Sequence, residues 1–173
     1  MEVTLVPVSL RAYLWLFGLT VAPLIVIGIY FKSFHPTTGF KTPLIVAGLV
    51  LALTFGLAWA MSKNSLKVEE EYLHVRVCAF YGGRYLLTDI NWSRARAGEL
   101  ASMPEFSPTL RVNGVGLPGY RAGWFALKAG GEALLSITDP GRVIALPMKD
   151  GKVIMVSVND PESVLRTLSS GGR

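Results

Sequence analysis

Hydrophobic and polar positions are distributed very unevenly along this chain: its first third is apolar almost without a break, and the rest alternates. Ala12–Phe31 and Pro43–Met61 are runs of 20 and 19 residues without a Lys, Arg, Asp, Glu or His. At ~1.5 Å rise per residue, either run as a helix crosses a hydrocarbon core of ~30 Å. Two buried helices of a soluble protein would need a core covering them on every side. The 112 residues from Ser62 onward read as strands that are polar on one face, and do not supply it. A cleaved signal peptide needs a basic start, an apolar stretch of ~7–15 residues and a small-x-small site. Glu2, the lone Arg11 and Tyr30-Phe31-Lys32 match none of these. The short segment Lys32–Thr42 then makes the runs an antiparallel hairpin that returns the chain to its starting side.

Details within the runs suit lipid. Tyr13, Trp15 and Trp59 fall at one interface of such a hairpin, and Tyr30, Phe31, Phe34 and Phe40 at the other, as aromatic belts do. Gly48, Ala52, Gly56 and Ala60 recur every four residues as a small-residue stripe. Close backbone approach across small residues is what holds helices together in lipid. The stripe is expected to pack on the first run through Gly18 and Ala22, with a seam between two chains as the alternative. Pro23 removes a hydrogen bond in mid-helix and is expected to kink it.

From Ser62 the period becomes two. Leu73, Val75, Val77 and Ala79 alternate with His74, Arg76 and Cys78, which predicts a half-buried strand. Tyr81-Gly82-Gly83-Arg84 reads as a tight hairpin turn into a strand over Tyr85–Thr88. Further strands are expected at Trp92–Ala97, Trp124–Lys128, Ala133–Thr138, Arg142–Pro147 and Val153–Val158. Ala129-Gly130-Gly131, Asp139-Pro140-Gly141 and Lys149-Asp150-Gly151 punctuate them as turns. That spacing predicts an antiparallel meander closing into a barrel or sandwich. The chain ends on a helix: Asp160 can cap free amides, Pro161 suits the first helical position, and Val164, Leu165 and Leu168 share one face. The division is therefore 1–62 for the hairpin, with spans at about 12–31 and 43–61, and 63–173 for the β-domain.

Two membrane runs followed by such a domain resemble the bacterial pleckstrin-homology-like (bacterial PH) domain proteins. The resemblance runs from Leu66 to about Leu168. It rests on Leu110–Phe125 (LRVNGVGLPGYRAGWF) and on Val158-Asn159-Asp160-Pro161-Glu162 before the last helix. It implies a PH-like seven-stranded antiparallel barrel capped by the C-terminal α-helix, in a membrane protein without a catalytic role. Phosphoinositide-binding relatives among eukaryotes cluster Lys and Arg around the first hairpin. Phe80–Tyr85 carries Arg84 alone, so that specificity is not carried over.

Charge refines the location. Ser62–Arg173 has 14 Lys and Arg against 11 Asp and Glu, a net of +3. That suits a domain beside an anionic leaflet. No basic run and no recognised nucleic-acid motif accompany it, so nucleic acid is not expected as a partner. Arg11, Lys63 and Lys67 flank the runs on the side of the termini and Lys32 and Lys41 on the other, a slight positive-inside bias. An unpaired Cys78 agrees with a reducing compartment. Together they place a multi-pass protein in the bacterial inner membrane, termini and large domain cytoplasmic.

Catalytic and cofactor signals are weak. Gly114-Val115-Gly116-Leu117-Pro118-Gly119 matches G-x-G-x-x-G, but Tyr120–Lys128 alternates like a strand where a dinucleotide site needs a helix. No nucleotide, cofactor or metal is expected. His35 and His74 are placed on opposite sides of the membrane, and Cys78 stands ~13 Å from His74 along a strand, too far to share a metal. Glu69-Glu70-Glu71 reads as a solvated approach to a strand, so no enzyme is expected.

The segment Glu99–Gly123, with three Pro and no clear period, reads as a long loop, and such loops often carry function. Arg94, Arg96, Arg111, Tyr120 and Arg121 would form a basic-aromatic ledge, with Arg94 and Arg96 sharing a strand face; the alternative is a covered barrel edge, with the arginines solvated and the aromatics packed against strands. The expected function is a membrane-tethered, non-catalytic binding module that uses this ledge on a protein partner. The alternatives are a sensor of anionic membrane lipids, or an accessory subunit assembled into a membrane complex through the hairpin.

Overall fold

The computed structural model describes residues 1–34 and 41–171 of the chain. α1 (Leu10–Phe34) and α2 (Lys41–Met61) take up the two apolar runs, and α1 continues through Pro23 as one helix. Both are long and apolar enough to cross a membrane, and only 6 % and 17 % of their most apolar stretches are buried inside the molecule. The core helices of a soluble domain would be covered. These are bare.

The two helices are in contact, with Phe17 edge-on to Phe55 at 5.3 Å; Leu16, Phe17 and Thr20 of α1 and Val50, Thr54 and Leu57 of α2 are buried or half-buried. Thr20 and Thr54 hydroxyls donate to carbonyls of their own helices, at Leu16 (3.0 Å) and Val50 (2.8 Å), so no polar group is stranded between them. The small-residue stripe does not join them. Gly48, Ala52 and Gly56 are exposed on the far side of α2, Gly18 and Ala22 are exposed on α1, and a side chain at Gly18, Gly48 or Gly56 would meet nothing. Only Ala60 is buried. The reason is angular: at 100° per residue, positions 50, 54, 57 and 61 share one face and 48, 52 and 56 the opposite one. His35 and Phe40 lie outside the described residues.

Residues 1–6, which the division by composition groups with the hairpin, pair with the β-domain. β1 (Glu2–Val3) runs antiparallel to β2 (Ser65–Glu69), setting Val3 against Leu66. Leu5 bridges Val158, the Val6 amide donates to Ser157 O at 3.1 Å, and Thr138 Oγ1 donates to Val6 O at 2.8 Å. The chain thus enters the domain before α1 and again after α2.

Two sheets enclose the core. The first orders β1-β2-β3-β4, with β3 at Tyr72–Val77 and β4 at Tyr81–Leu86. The second comprises β5 (Arg96–Gly98), β6 (Pro108–Leu117), β7 (Tyr120–Leu127), β8 (Glu132–Ile137), β9 (Val143–Pro147) and β10 (Val153–Ser157), in the order β5-β9-β10-β8-β7-β6. Leu66, Leu73 and Val75 of the first pack on Leu134, Leu146 and Ile154 of the second. A second apolar layer covers the other side of the larger sheet, where Met103 and Phe106 lie over Leu135, Ala145 and Met155. β9 and β10 are buried along their whole length for that reason.

Several expectations are corrected here. The ladders do not close into a barrel: among the described residues β4 and β6 share no ladder and are joined by a side-chain bond, Tyr81 Oη to Asn113 Oδ1 at 3.0 Å. The strands are not a pure antiparallel meander, because β10 inserts between β8 and β9 and pairs parallel to β8. Ser157 Oγ stitches the wide β8–β9 connection over the end of β10, accepting from the Thr138 and Asp139 amides at 3.1 Å each and donating to Asp139 O at 2.8 Å. Gly82 and Gly83 lie inside β4 and the turn is at Cys78–Phe80, where Cys78 takes a φ of 50°. That turn sends Cys78 into the core, away from the face of His74 and Arg76.

α3 (Pro161–Gly171) lies against β5 and β9, with Leu168 buried and Val164 and Leu165 packed on the core. Asp160 Oδ1 accepts the Ser163 amide at 3.1 Å, the expected cap.

A small polar joint fastens α2 to the domain. Asn64 Nδ2 donates to Met61 O at 2.7 Å, and its Oδ1 accepts from the Cys78 amide (2.8 Å) and Ser136 Oγ (3.2 Å). The buried Tyr120 hydroxyl also donates to Met61 O, at 3.4 Å. Asn64→Ala leaves the Cys78 amide and Ser136 hydroxyl without their acceptor and is expected to cost about 1–3 kcal/mol. Thermal unfolding of the full chain in mild detergent measures this, and an unchanged midpoint would show that the joint is not structural.

Candidate functional site

The residues expected to form one ledge are split between opposite edges of the larger sheet. Arg94 is exposed in the turn at 92–94, before β5 begins, so it shares no strand face with Arg96. Arg96 turns its guanidinium back on that turn, donating from Nη1 to Ser93 O (3.2 Å) and Ala95 O (2.9 Å). Both belong to the β5 edge. Arg111 and Arg121 are exposed at the β6 edge, on the hairpin of β6 and β7.

Tyr120 does not reach the surface. It is 1 % exposed, and burial pushes its phenol up from the ordinary value, assisted by the neighbouring Cys78. The Cys78 thiol is raised by burial as well. Both groups stay neutral at physiological pH and belong to the joint under α2.

The expected long loop is mostly ordered structure. Short helical turns at Leu100–Ser102 and Pro104–Phe106 lay Met103 and Phe106 onto the sheet, and Pro108–Leu117 is a ten-residue strand. β6 hid its period because its ladder with β7 slips between Pro108 and Arg111 and again between Arg111 and Asn113. Each slip reverses which face a side chain takes.

What results is an open edge. Thr109 to Asn113 are all exposed, and Leu110 and Val112 stand 71 % and 54 % exposed on a strand that, among the described residues, pairs with β7 alone; besides that ladder it meets the Tyr81 hydroxyl at Asn113 and is touched by α1. An edge of this kind offers unpaired backbone groups to another extended chain. Sequence reading singled out Arg111 here but missed Leu110 and Val112. Thr109–Asn113 does alternate, but the apolar phase shifts from Leu110 and Val112 to Val115 and Leu117, which left the signal only five residues long.

The outer face of β2–β4 is the other conspicuous surface. It carries Lys67, His74, Arg76 and Arg84 around an open hollow of about 650 Å³. Among the described residues no three His, Cys, Asp or Glu side chains gather as metal ligands would.

The glycine motif falls in β6 and the turn after it, and β7 follows where a nucleotide site needs a helix. Gly114 and Gly123 face each other across the ladder with φ of 154° and 110°. A Cβ on Gly114 would strike the Ala122 carbonyl, and one on Gly123 the Asn113 carbonyl. The two backbones approach too closely for side chains.

The family described as Bacterial PH domain matches residues 65–171. No curated protein matches the chain, and no solved structure does.

Gly123→Ala combines a positive φ with the carbonyl clash and is expected to destabilise the fold by about 1–3 kcal/mol. Thermal unfolding of the variant tests it; a midpoint equal to that of the native chain would refute the close-approach account.

Proposed function

The chain belongs to the bacterial PH domain family, and from that membership we propose a membrane-tethered, non-catalytic module that engages a protein partner at the membrane surface. PH-like domains are in general binding modules. In this reading α1 and α2 are the tether, and the two sheets with α3 are the binding domain, a PH-like fold left open between β4 and β6.

The observation that carries the partner is the β6 edge. Leu110 and Val112 supply apolar contact, the unpaired backbone supplies hydrogen bonds, and Arg111 between them suits carboxylates through bidentate contact, with Arg121 further along the same hairpin on β7. Edges that have no partner are ordinarily blunted by shortness, Lys or inward charges. This one is ten residues long. Arg94 and Arg96 lie across the sheet and take no part in it.

The tether rests on the bareness of both helices and on the return of residues 1–6 to the domain. Both ends of the helical pair lie on the domain's side, as an even number of crossings requires. The slight excess of Arg11, Lys63 and Lys67 there over Lys32 and Lys41 on the other side supports a cytoplasmic domain on a protein of the bacterial inner membrane.

Single cysteines at Thr37 and Ser170, in a Cys78→Ala background, test the topology. A membrane-impermeant thiol reagent on cells with a permeabilised outer envelope is expected to modify position 37 and spare 170. The reverse pattern would overturn the orientation, and modification of both would overturn the hairpin.

Affinity purification in mild detergent tests the partner. A stoichiometric companion is expected with the native chain and is lost on Leu110→Asp plus Val112→Asp. These exposed positions leave folding within about 0.5 kcal/mol per substitution. Purification of the native chain alone, or a companion indifferent to both changes, would refute the reading.

A further inference from the structure

Alternation along β6 and β7 assigns each residue of their hairpin to one face of the larger sheet. Val115, Leu117, Tyr120, Ala122 and Trp124 pack on the core between the sheets. Gly114, Gly116, Arg121 and Gly123 therefore belong to the outer face, where Phe125 and Leu127 join the second apolar layer. Gly116 is paired with Arg121 across the ladder. Arg111 comes to the same place from along β6: a Cβ on Gly116 would stand 3.9 Å from Arg111 Nη1, with nothing else within 4 Å.

Two arginines thus flank one bare patch of backbone. Paired residues on one face have their Cβ positions ~5 Å apart, so both guanidinium groups can reach an anion lying over Gly116. Neither has an ion pair or a hydrogen bond among the described residues. Arg96 and Arg142, by contrast, bond to Ser93 O and to the Asp139 carboxylate. Pro108–Leu117 contains no Asp or Glu, so β6 itself does not neutralise the pair.

The open edge of β6 says how an anion arrives there. A segment paired along it sets one residue opposite Gly116, with its side chain on the outer face. The absent side chain of Gly116 leaves the way across the strand clear. Two strand spacings, ~9.6 Å, separate that residue from Arg121, and a glutamate and an arginine side chain close the gap between them. Arg111 lies alongside. A second copy of β6 brings only the same arginines, so the occupant is a different chain. A carboxylate held at one point also fixes the register of the added strand, which hydrogen bonds along an edge leave free.

We infer that Arg111, Gly116 and Arg121 form a clamp for a single carboxylate carried by an extended segment of the protein partner. The clamp rests on the β6-edge reading above and names what that partner presents: an acidic residue within a strand-forming sequence, its side chain lying across Gly116 into paired hydrogen bonds with both guanidinium groups. Gly116 is its specificity-determining position.

Binding of fluorescent synthetic peptides to the full chain in neutral detergent, read by anisotropy, tests the clamp. One peptide alternates Val and Thr around a central Glu, and the other carries Gln at that place. The native chain is expected to bind the Glu peptide about tenfold more tightly. Arg111→Gln plus Arg121→Gln brings the Glu peptide down to the Gln peptide and leaves the Gln peptide unchanged, which also reports that the variant is folded. Gly116→Val does the same, since Gly116 is outside the positive-φ region and the added methyls meet only the flexible end of Arg111. Arg94→Gln plus Lys149→Gln removes equal charge away from β6 and keeps the preference. Failure of the native chain to bind either peptide would overturn the β6 edge, and the clamp with it. Equal binding of the two peptides would overturn the clamp alone, as would a preference that survives the arginine pair or Gly116→Val. Loss of the preference on adding phosphatidylglycerol to the detergent would assign the arginines to lipid and overturn the carboxylate.

Discussion

Both ends of the helical pair are fastened into the β-domain, and most of what the molecule can do follows from those two attachments. Before α1, residues 1–6 add β1 to one sheet and bridge to Val158 at the end of the other. After α2, Asn64 and Tyr120 close on the Met61 carbonyl within three residues of the last turn. A domain hung from one end of a helix on a free linker samples many orientations. One held at both ends has its orientation set by the helices. Chain entropy favours this arrangement, because each attachment restricts residues that the other has already brought near.

The buried polar groups at that junction show why it is specific. Asn64, Ser136 and Tyr120 sit among Leu66, Val77 and Leu134, where an unpaired polar group would be costly. Each finds a partner only when α2 ends where it does. A shift of α2 by one residue would move Met61 O away from both of its donors. Such a network adds little net stability over an apolar contact, but it penalises every other register.

Legibility in the sequence followed the number of residues that carried each signal. The two helices announced themselves because some twenty successive residues agree. Strands β8 to β10 and the Asp160 cap of α3 were likewise readable, each lying within a residue or so of its expected bounds. β1 was not, since two residues have no period. β6 looked like a loop because its slips break the alternation and its glycines serve a backbone approach to Gly123 that only the partner strand reveals. Gly82 and Gly83 mimic a turn for the same reason: Gly82 lies against the Val75 carbonyl of β3, so the pair marks contact between strands. The small-residue stripe shows the limit of composition. It was visible, but whether it faces α1 depends on which side of α2 the domain joint presents.

The candidate site divides along the same line. Arginines could be counted in the sequence, yet their grouping could not, because it depends on strand order. Arg94 and Arg96 go to one edge of the larger sheet through β5, while Arg111 and Arg121 go to the other. Arg76 and Arg84, eight positions apart, become diagonal neighbours through the β3–β4 register. That register is set by the turn at Cys78, whose positive φ admits Cys78 to the core and brings Phe80 out beside the end of α2. One strained turn therefore does two things at once. It closes the polar joint through the Cys78 amide, and it leaves the Phe80 side chain exposed beside that joint.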